Sequence, residues 1–324
     1  MKKKVLLLIA AACMVIGGIL FTVGSLMGGK GLIINPTGVD KINLVSEISE
    51  YAVEDMDFEA FDSVLMDMSN CEVCVKRSEN GRFGIDMKLY TYNPDNIEFG
   101  VTDGQLIIKN IDDNVGLSFN FDFFDDKQQY VYLYLPEVQF DSINVSTSNE
   151  RVIIEDIEAE NEIYVDSSNA QISIKNADAP KVSASSSNET VSVENVMTEL
   201  LKLETTNGKL ELKDVTADSL RAETSNEKVR FDNVSGVDAV IKTTNGELIL
   251  NEVYFDSSLD AATSNSDAEL VLAGKRDDYY YDLRTSNGTI SIDGADCGEK
   301  YKGGKGNSEV TLTSTNGDVK VEFE

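Results

Sequence analysis

The chain has 324 residues, 28 of them basic and 57 acidic, with a formal charge of −29 and neither histidine nor tryptophan. A charge this negative repels nucleic acid and anionic polymers, so no nucleic-acid partner is expected. Without histidine the commonest general base and metal ligand is missing, and neither a Ser-His-Asp nor a Cys-His arrangement can be built.

Met1-Lys-Lys-Lys4 precede an uncharged run, Val5 to Gly29, that ends at Lys30. A run of that length makes ~37 Å of helix, enough to span a bilayer with some tilt. A cleaved signal peptide would carry a shorter apolar stretch ending at a small-x-small site. Gly24 and Ser25, or the lipoprotein-like Ala10-Ala-Ala-Cys13, are where cleavage would fall. The leading lysines orient the run. Residues 1–4 are expected as a cytoplasmic tip, 5–29 as a single-pass anchor in the cell membrane, and the rest as extracellular. Four bases and no acid lie in the first thirty residues, so the remainder holds 24 bases against 57 acids. Acid on outward positions keeps such a domain soluble and guards exposed sheet edges.

Residues 30–62 form a juxtamembrane or capping segment. Leu44, Ile48 and Tyr51 have helical spacing and predict a short helix covering the first unit of the domain beyond them. Two weak units come next: Val64, Met66, Asn70, Val73 and Val75, then Ile97, Phe99, Val101, Asp103, Leu106 and Ile108. Two insertions, about 78–95 and 112–140, interrupt them. The second alternates Phe119, Phe121 and Phe123 with polar residues and then runs Tyr130-Val-Tyr-Leu-Tyr-Leu135, which reads as a strand pair lying on or leaving the main body. Cys71 and Cys74 form Cys-x-x-Cys, but on a strand their Cα atoms would be ~10 Å apart, beyond the ~7 Å that a disulfide tolerates unless a corner kinks the chain.

The dominant signal is a repeat. Thr/Ser-Thr/Ser-Asn recurs with its asparagine at Asn149, Asn169, Asn188, Asn207, Asn226, Asn245, Asn265, Asn287 and Asn316, at intervals of 20, 19, 19, 19, 19, 20, 22 and 29. A fixed period with constant chemistry at one phase marks stacked repeats. Apolar residues alternate with polar ones on both sides of each asparagine, for example Leu201 and Leu203 before Asn207, and Leu210 and Leu212 after it. Each unit therefore offers two strands and one buried face. Seven residues after the asparagine, Asp156, Asn176, Asn195, Asp214 or Asn233 marks a second corner.

An antiparallel meander of hairpins and a parallel solenoid both fit. Asn-Gly at Asn207, Asn245, Asn287 and Asn316 favours hairpins. Glu150, Ala170, Glu189, Glu227 and Ser266 stand at the same place in the other units, where a tight primed turn needs positive φ. In a solenoid, equivalent residues stack ~4.8 Å apart, so the asparagines bond one another while their neighbours vary. The predicted fold is therefore all-β, a single-domain parallel β-solenoid of 19–20-residue coils over residues 63–324. Serine or threonine two residues before each asparagine is expected to form a buried hydroxyl stack. A third insertion, about 293–308, contains Gly303-Gly304-Lys305-Gly306.

No cofactor, metal or catalytic residue is assigned. Asp112-Asp113-Asn114, Asp125-Asp126 and the nonapeptide-like Gly303 to Asn307 are calcium candidates outweighed by the reading of each as a solvated turn. Tyr281 falls on an inward phase and Tyr280 on an outward one. With Phe119, Phe121, Tyr130 and Tyr132, Tyr280 makes up the candidate partner surface.

The Lys-rich anchor, Leu135-Pro136 and the Thr-Ser-Asn-Gly-x-Ile-x-Ile units resemble the putative-adhesin family of bacterial β-strand-repeat domains of unknown function, frequent in Gram-positive bacteria. The resemblance runs from about Phe61 to Glu324 and implies an anchored or secreted β-solenoid, in some relatives associated with envelope-stress systems, with no catalytic residues. The expected role is a non-enzymatic interaction module for envelope or membrane proteins or surface glycans. Adhesion to other cells or glycans is the alternative, and a polysaccharide-cleaving β-helix the least favoured. A rod ~50 Å long, rooted at the membrane, would hardly clear a thick wall, which favours partners in its own envelope.

Overall fold

A computed structural model describes residues 49–91, 96–110 and 128–323, together with Gly17 and, as backbone, the strands Gly31–Ile34, Ile42–Val45 and Leu117–Asn120. Those three strands form a small antiparallel sheet. The expected anchor, apart from Gly17, and the carboxylate pairs at 112–114 and 125–126 lie outside the described residues. Among the described residues no helix is long and apolar enough to cross a membrane.

The other described strands form one 23-stranded sheet, most of it wound into a stack of β-coils. In the strands Val191–Thr205, Leu210–Glu223, Val229–Lys242 and Leu248–Ala262, residues away from the corners pair in parallel with their equivalents one coil away, as in Leu201↔Leu220↔Ala239↔Leu259. Each coil has three sides: a strand before the asparagine corner, a strand after it, and a short bridge after the second corner. Period-two alternation turns every other side chain inward, and the inward residues (Leu201, Leu203, Leu210, Leu212 and Val215 in one coil) are at most 1% exposed. Burying each such side chain contributes roughly 1.5–3 kcal/mol, so a coil is held by stacking on its neighbours rather than by itself.

The asparagine ladder forms as expected. Each side-chain amide donates to the carbonyl of the asparagine one coil below, for example Asn169 to Asn149 at 2.6 Å, Asn207 to Asn188 at 2.8 Å and Asn245 to Asn226 at 2.8 Å. Asn70 joins it beneath Asn149, so the weak unit at Val64–Val75 is a true coil. No ladder asparagine from Asn149 onward has positive φ, and neither do the glutamates that follow them. The corner is an open turn in which glutamate is permitted, as the solenoid reading requires.

The hydroxyls two residues earlier are buried, but they do not stack on one another. Each donates instead to a backbone carbonyl of the preceding coil, as Thr224 Oγ1 does to Gly208 (3.0 Å) and Thr263 Oγ1 to Gly246 (2.8 Å). An unpaired buried carbonyl is costly, and the hydroxyl satisfies it. Glycine after the asparagine answers a different need. A Cβ at Gly208 or Gly246 would sit 1.8 or 1.7 Å from the carbonyl oxygen of Glu189 or Glu227 in the coil below.

The second corner is a left-handed residue: Asp156, Asn176, Asn195, Asp214, Asn233 and Glu252 have φ of 49–58°. Asn and Asp tolerate this conformation best. Their side chains build a second ladder, Asn176 to Asp156 at 2.8 Å, Asn195 to Asn176 at 2.7 Å and Asn233 to Asp214 at 2.7 Å. The constancy of Asn and Asp seven residues on was its signal in the sequence, there read only as a turn.

The ends depart from the sequential stack predicted. Ile97–Thr102 and Gln105–Asn110 are an antiparallel hairpin rather than a coil, because Asp103 and Gly104 take φ of 49° and 78° and make a tight primed turn. Only the second of these strands joins the stack, on Ser63–Asp67. Tyr130–Leu135 is an integral strand, parallel to Glu72–Arg77 and antiparallel to Gly84–Thr91, with Val131, Leu133 and Leu135 fully buried. Where a capping helix was predicted, Leu44 and Tyr51 lie on the strands Ile42–Val45 and Ser49–Asp57, the latter paired with Gly84–Thr91, while Ile48 lies outside the described residues. Strand pairing decided where helical spacing was a coincidence.

At the other end the coils are out of order. Ser308–Thr313 pairs with Leu248–Ala262 on one side and Tyr279–Arg284 on the other, and Val319–Phe323 lies between Ala268–Leu272 and Ile290–Ile292. The ladder accordingly runs from Asn265 to Asn316 and then to Asn287. Lys300–Gly304 and Ala295–Asp296, the third insertion, pair antiparallel on the outermost coil.

Candidate functional site: an outward tyrosine face

The outward surface of the middle coils carries hydroxyl, amide and charged side chains. Ion pairs such as Lys213–Glu194 (3.0 Å) and Lys228–Glu247 (2.8 Å) lie between adjacent coils and are exposed. Their contribution is small. A shallow groove of about 700 Å³ follows the asparagine ladder past Asp166, Glu204, Glu223 and Lys242. Buried hydroxyls along it, such as Thr205 and Thr243, are committed to carbonyls. Among the described residues no three carboxylate or thiol side chains converge where a metal ion could sit.

The N-terminal end of the post-corner sheet differs. Because Val131, Leu133 and Leu135 point inward, Tyr130, Tyr132 and Tyr134 point outward along one strand, half-buried. The Tyr130 and Tyr132 rings stack with centroids 4.8 Å apart. Tyr90, on the neighbouring antiparallel strand, extends the patch, with the Lys88 ammonium 5.6 Å from its ring centre. Lys76 lies 5.2 Å from that of Tyr134. Glu72 accepts from the Tyr132 hydroxyl (3.3 Å) and from Arg151 (3.0 Å). Burial, reinforced by Glu72 for Tyr132 and by Asp86 for Tyr134, holds both phenols above their usual range. They therefore stay neutral, amphipathic donors at physiological pH, the combination that makes tyrosine effective at interfaces.

Cys74 sits within this face, beside Tyr132 and Ile153, and Cys71 is buried at the corner. Both are free thiols, and burial raises the pKa of each. That direction opposes thiolate chemistry.

Of the predicted partner surface, the structure brings Tyr130 and Tyr132 together and adds Tyr134 and Tyr90. Tyr134 shares their period of two and could have been read from it, whereas Tyr90 needed the antiparallel pairing. Tyr280 is outward, as predicted, with Lys302 5.9 Å from its ring centre, but it lies on the other sheet at the opposite end of the stack. Tyr279 and Tyr281 are fully buried. Phe119 lies on the strand Leu117–Asn120 of the small antiparallel sheet, and Phe121 lies outside the described residues.

A stacked-coil, all-β repeat with asparagine ladders along its exposed corners is the class defined by this fold. Residues 62–322 match the Toastrack DUF4097 family model, and the chain belongs to that family. Among solved structures it is similar to a putative adhesin from Bacteroides fragilis, with 11% identity, a TM-score of 0.39, and coverage of 85% of this chain and 97% of that one. It is also similar to a putative cell adhesion protein from Clostridium sporogenes, with 11% identity, a TM-score of 0.24, and coverage of 86% and 100%. No curated protein matches the chain.

Proposed function

We propose that this chain is a non-enzymatic surface interaction module, held at the membrane by its N-terminal segment, that binds envelope or membrane proteins of its own cell. The observation that carries the reading is the tyrosine face. Tyr90, Tyr130, Tyr132 and Tyr134 form an aromatic cluster on one outward sheet face, with the Tyr130 and Tyr132 rings stacked. Tyrosine and tryptophan dominate binding hot spots because they bring large contact area and a polar tip at little entropic cost. The rigid sheet beneath fixes these rings in place, so little ordering is needed on binding.

The test is site-specific photo-crosslinking of the full chain in its native membrane. A crosslinker at position 132 is expected to capture a defined envelope or membrane protein, and Tyr130→Ser with Tyr134→Ser to abolish the capture. A crosslinker at position 249, outward in the middle of the same sheet, is the control. Equal capture at 132 and 249 would overturn the tyrosine face as the binding site. Tyrosine-dependent binding to foreign cells or glycans, with no same-cell partner, would replace the envelope role with adhesion.

A further inference from the structure

The two ends of the stack are finished differently. At the C-terminal end the chain forms a cap, Tyr279–Phe323, whose returning strands Lys300–Gly304 and Ala295–Asp296 lie antiparallel on its outermost coil. At the N-terminal end the outermost strands are Ser49–Asp57 and Ile97–Thr102, and among the described residues each pairs with one strand. Their inward faces continue the core. Tyr51 and Val53 stand opposite Leu89 and Met87, and Phe99 stands opposite Ile108, all three partners being fully buried. Yet Tyr51, Val53, Phe58, Phe83, Ile97 and Phe99 are themselves only half-buried. Phe58 joins the two sides, its ring centre 5.4 Å from that of Phe99 and 6.2 Å from that of Phe61. The core therefore ends on a largely aromatic surface.

The small antiparallel sheet offers a surface that matches it. Register sets Leu32 opposite Leu44 and Phe119, and Ile34 opposite Ile42 and Leu117. Residues two apart on a strand share a face, so these six apolar residues occupy one face of the sheet. The other face mixes Ile33 and Val45 with Gly31, Asn43, Ser118 and Asn120. A sheet with one apolar face must bury it against another element. The chain itself brings that element close, because Val45 is followed after three residues by Ser49, and Asn110 after six by Leu117. Fully extended, these links reach at most ~14 Å and ~25 Å, and face-to-face sheets pack ~10 Å apart. Both links start at the aromatic end: Ser49 opens one outermost strand, and Asn110 is paired with Ile97 of the other. Short links hold the two surfaces at an effective concentration in the millimolar range, ahead of any unattached partner.

We propose that the small sheet packs its apolar face, Leu32, Ile34, Ile42, Leu44, Leu117 and Phe119, onto the N-terminal end of the core and covers the aromatic cluster around Phe58 and Phe99. Stacked repeats need such a terminal cover to stay soluble. The strand Gly31–Ile34 directly follows Lys30, so docking leaves no free linker between the N-terminal run and the rod. In the reading proposed above, with that run held at the membrane, the rod and its tyrosine face stand close to the bilayer. That consequence rests on the earlier reading, whereas the docking does not.

The test places the photo-crosslinker p-benzoylphenylalanine at position 119 of the full chain in its native membrane. The control carries it at position 118, which register puts on the opposite face. Position 119 is expected to crosslink within its own chain to peptides containing residues 51–58, 83 or 97–99, at least about tenfold more than position 118. The same crosslink is expected in detergent, so the docking is judged apart from the membrane reading. Products joining position 119 to lipid, to a second copy or to another protein in place of these peptides would overturn the proposal, as would equal yields at 118 and 119. A second measurement uses the purified full chain carrying Ile42→Asp and Leu117→Asp. Hydrogen exchange in Ser49–Asp57 and Ile97–Thr102 is expected to quicken at least about tenfold while Val191–Ala262 keeps its protection. Unchanged exchange at the N-terminal end would mean that the sheet does not cover it.

Discussion

The middle of the stack and its C-terminal cap are built from the same coil, yet they are held together differently. In the middle, from Asn149 to Asn265, each coil follows the last in chain order, and its neighbours are its covalent neighbours. In the cap, the coil nearest the body is the later one in the chain, and the earlier coil depends on it for its place. The middle also has a bridging third side with a second ladder. In the cap, Tyr279 and Tyr281 are buried on the strand before the corner, and their hydroxyls donate to the carbonyls of Ala273 and Arg276 in the preceding connection. Stacking chemistry thus sets how coils fit, whereas order along the axis is free wherever a connection is long enough to skip a coil.

The comparison can be broken hardest from the middle. Phe231 is fully buried there, and Phe231→Ala is expected to cost about 3–5 kcal/mol. Because each coil rests on its neighbours, chemical denaturation should show the whole stack losing stability in one transition. A separate early transition limited to coils around Phe231 would mean that the middle is less cooperative than its pairing implies.

Glycine provides the next contrast. Gly246→Ala puts a methyl group into the Glu227 carbonyl and is expected to destabilise by about 1–3 kcal/mol. Gly294, in the cap's outer hairpin, has open space around it but a φ of +75°. There Gly294→Asn should be tolerated, since asparagine accepts that conformation, while Gly246→Asn should not. Equal losses for the two asparagine variants in thermal melts would remove the distinction between a steric and a conformational glycine.

Alkaline pH should act on the cap first. Burial pushes Tyr279 up to about 12, and it raises Tyr281 as well. A phenol raised above its unfolded value of ~10 contributes stability that is fully present below pH ~10 and is lost as pH rises through the folded value. Hydrogen exchange should therefore show Tyr279–Phe323 loosening between about pH 10 and 12 while Val191–Ala262 remains protected. Loss of protection in both regions at the same pH would contradict a tyrosine-governed cap.

The smallest effect concerns Glu252, which alone among the left-handed residues of the second corner is neither Asn nor Asp. Glu252→Asn is expected to raise stability by about 1 kcal/mol. Thermal melting would register it as a modest upward shift, and a downward shift would show that the glutamate is held by contacts worth more than its strain.

These contrasts also separate what the sequence displayed from what it concealed. The ladder was legible because stacked equivalents repeat one chemistry at one phase, and even Asn70 could be placed by its flanking valines. The outward tyrosines at 130 and 132 were legible for the same reason, as period two tells which side of a strand faces out. Inversion of the cap was not, since parallel pairing of near-identical coils leaves no mark of axial order beyond the long intervals of 22 and 29 before Asn287 and Asn316. Ile97–Asn110 matched the coil template residue by residue, yet Asp103-Gly104 selected a hairpin. At Leu44, Ile48 and Tyr51 the spacing suggested a helix, but the strand holding Tyr51 pairs with Gly84–Thr91 and the one holding Leu44 with Gly31–Ile34.

The inverted cap also decides where the polypeptide leaves the rod. Phe323 lies between Ala268–Leu272 and Ile290–Ile292, so the chain exits from the flank, one coil short of the tip. The tip itself is formed by the returning strands Ala295–Asp296 and Lys300–Gly304. A tag or fused domain placed after Phe323 would project sideways from the rod, whereas one placed in the hairpin at Asp293-Gly294 would extend its length.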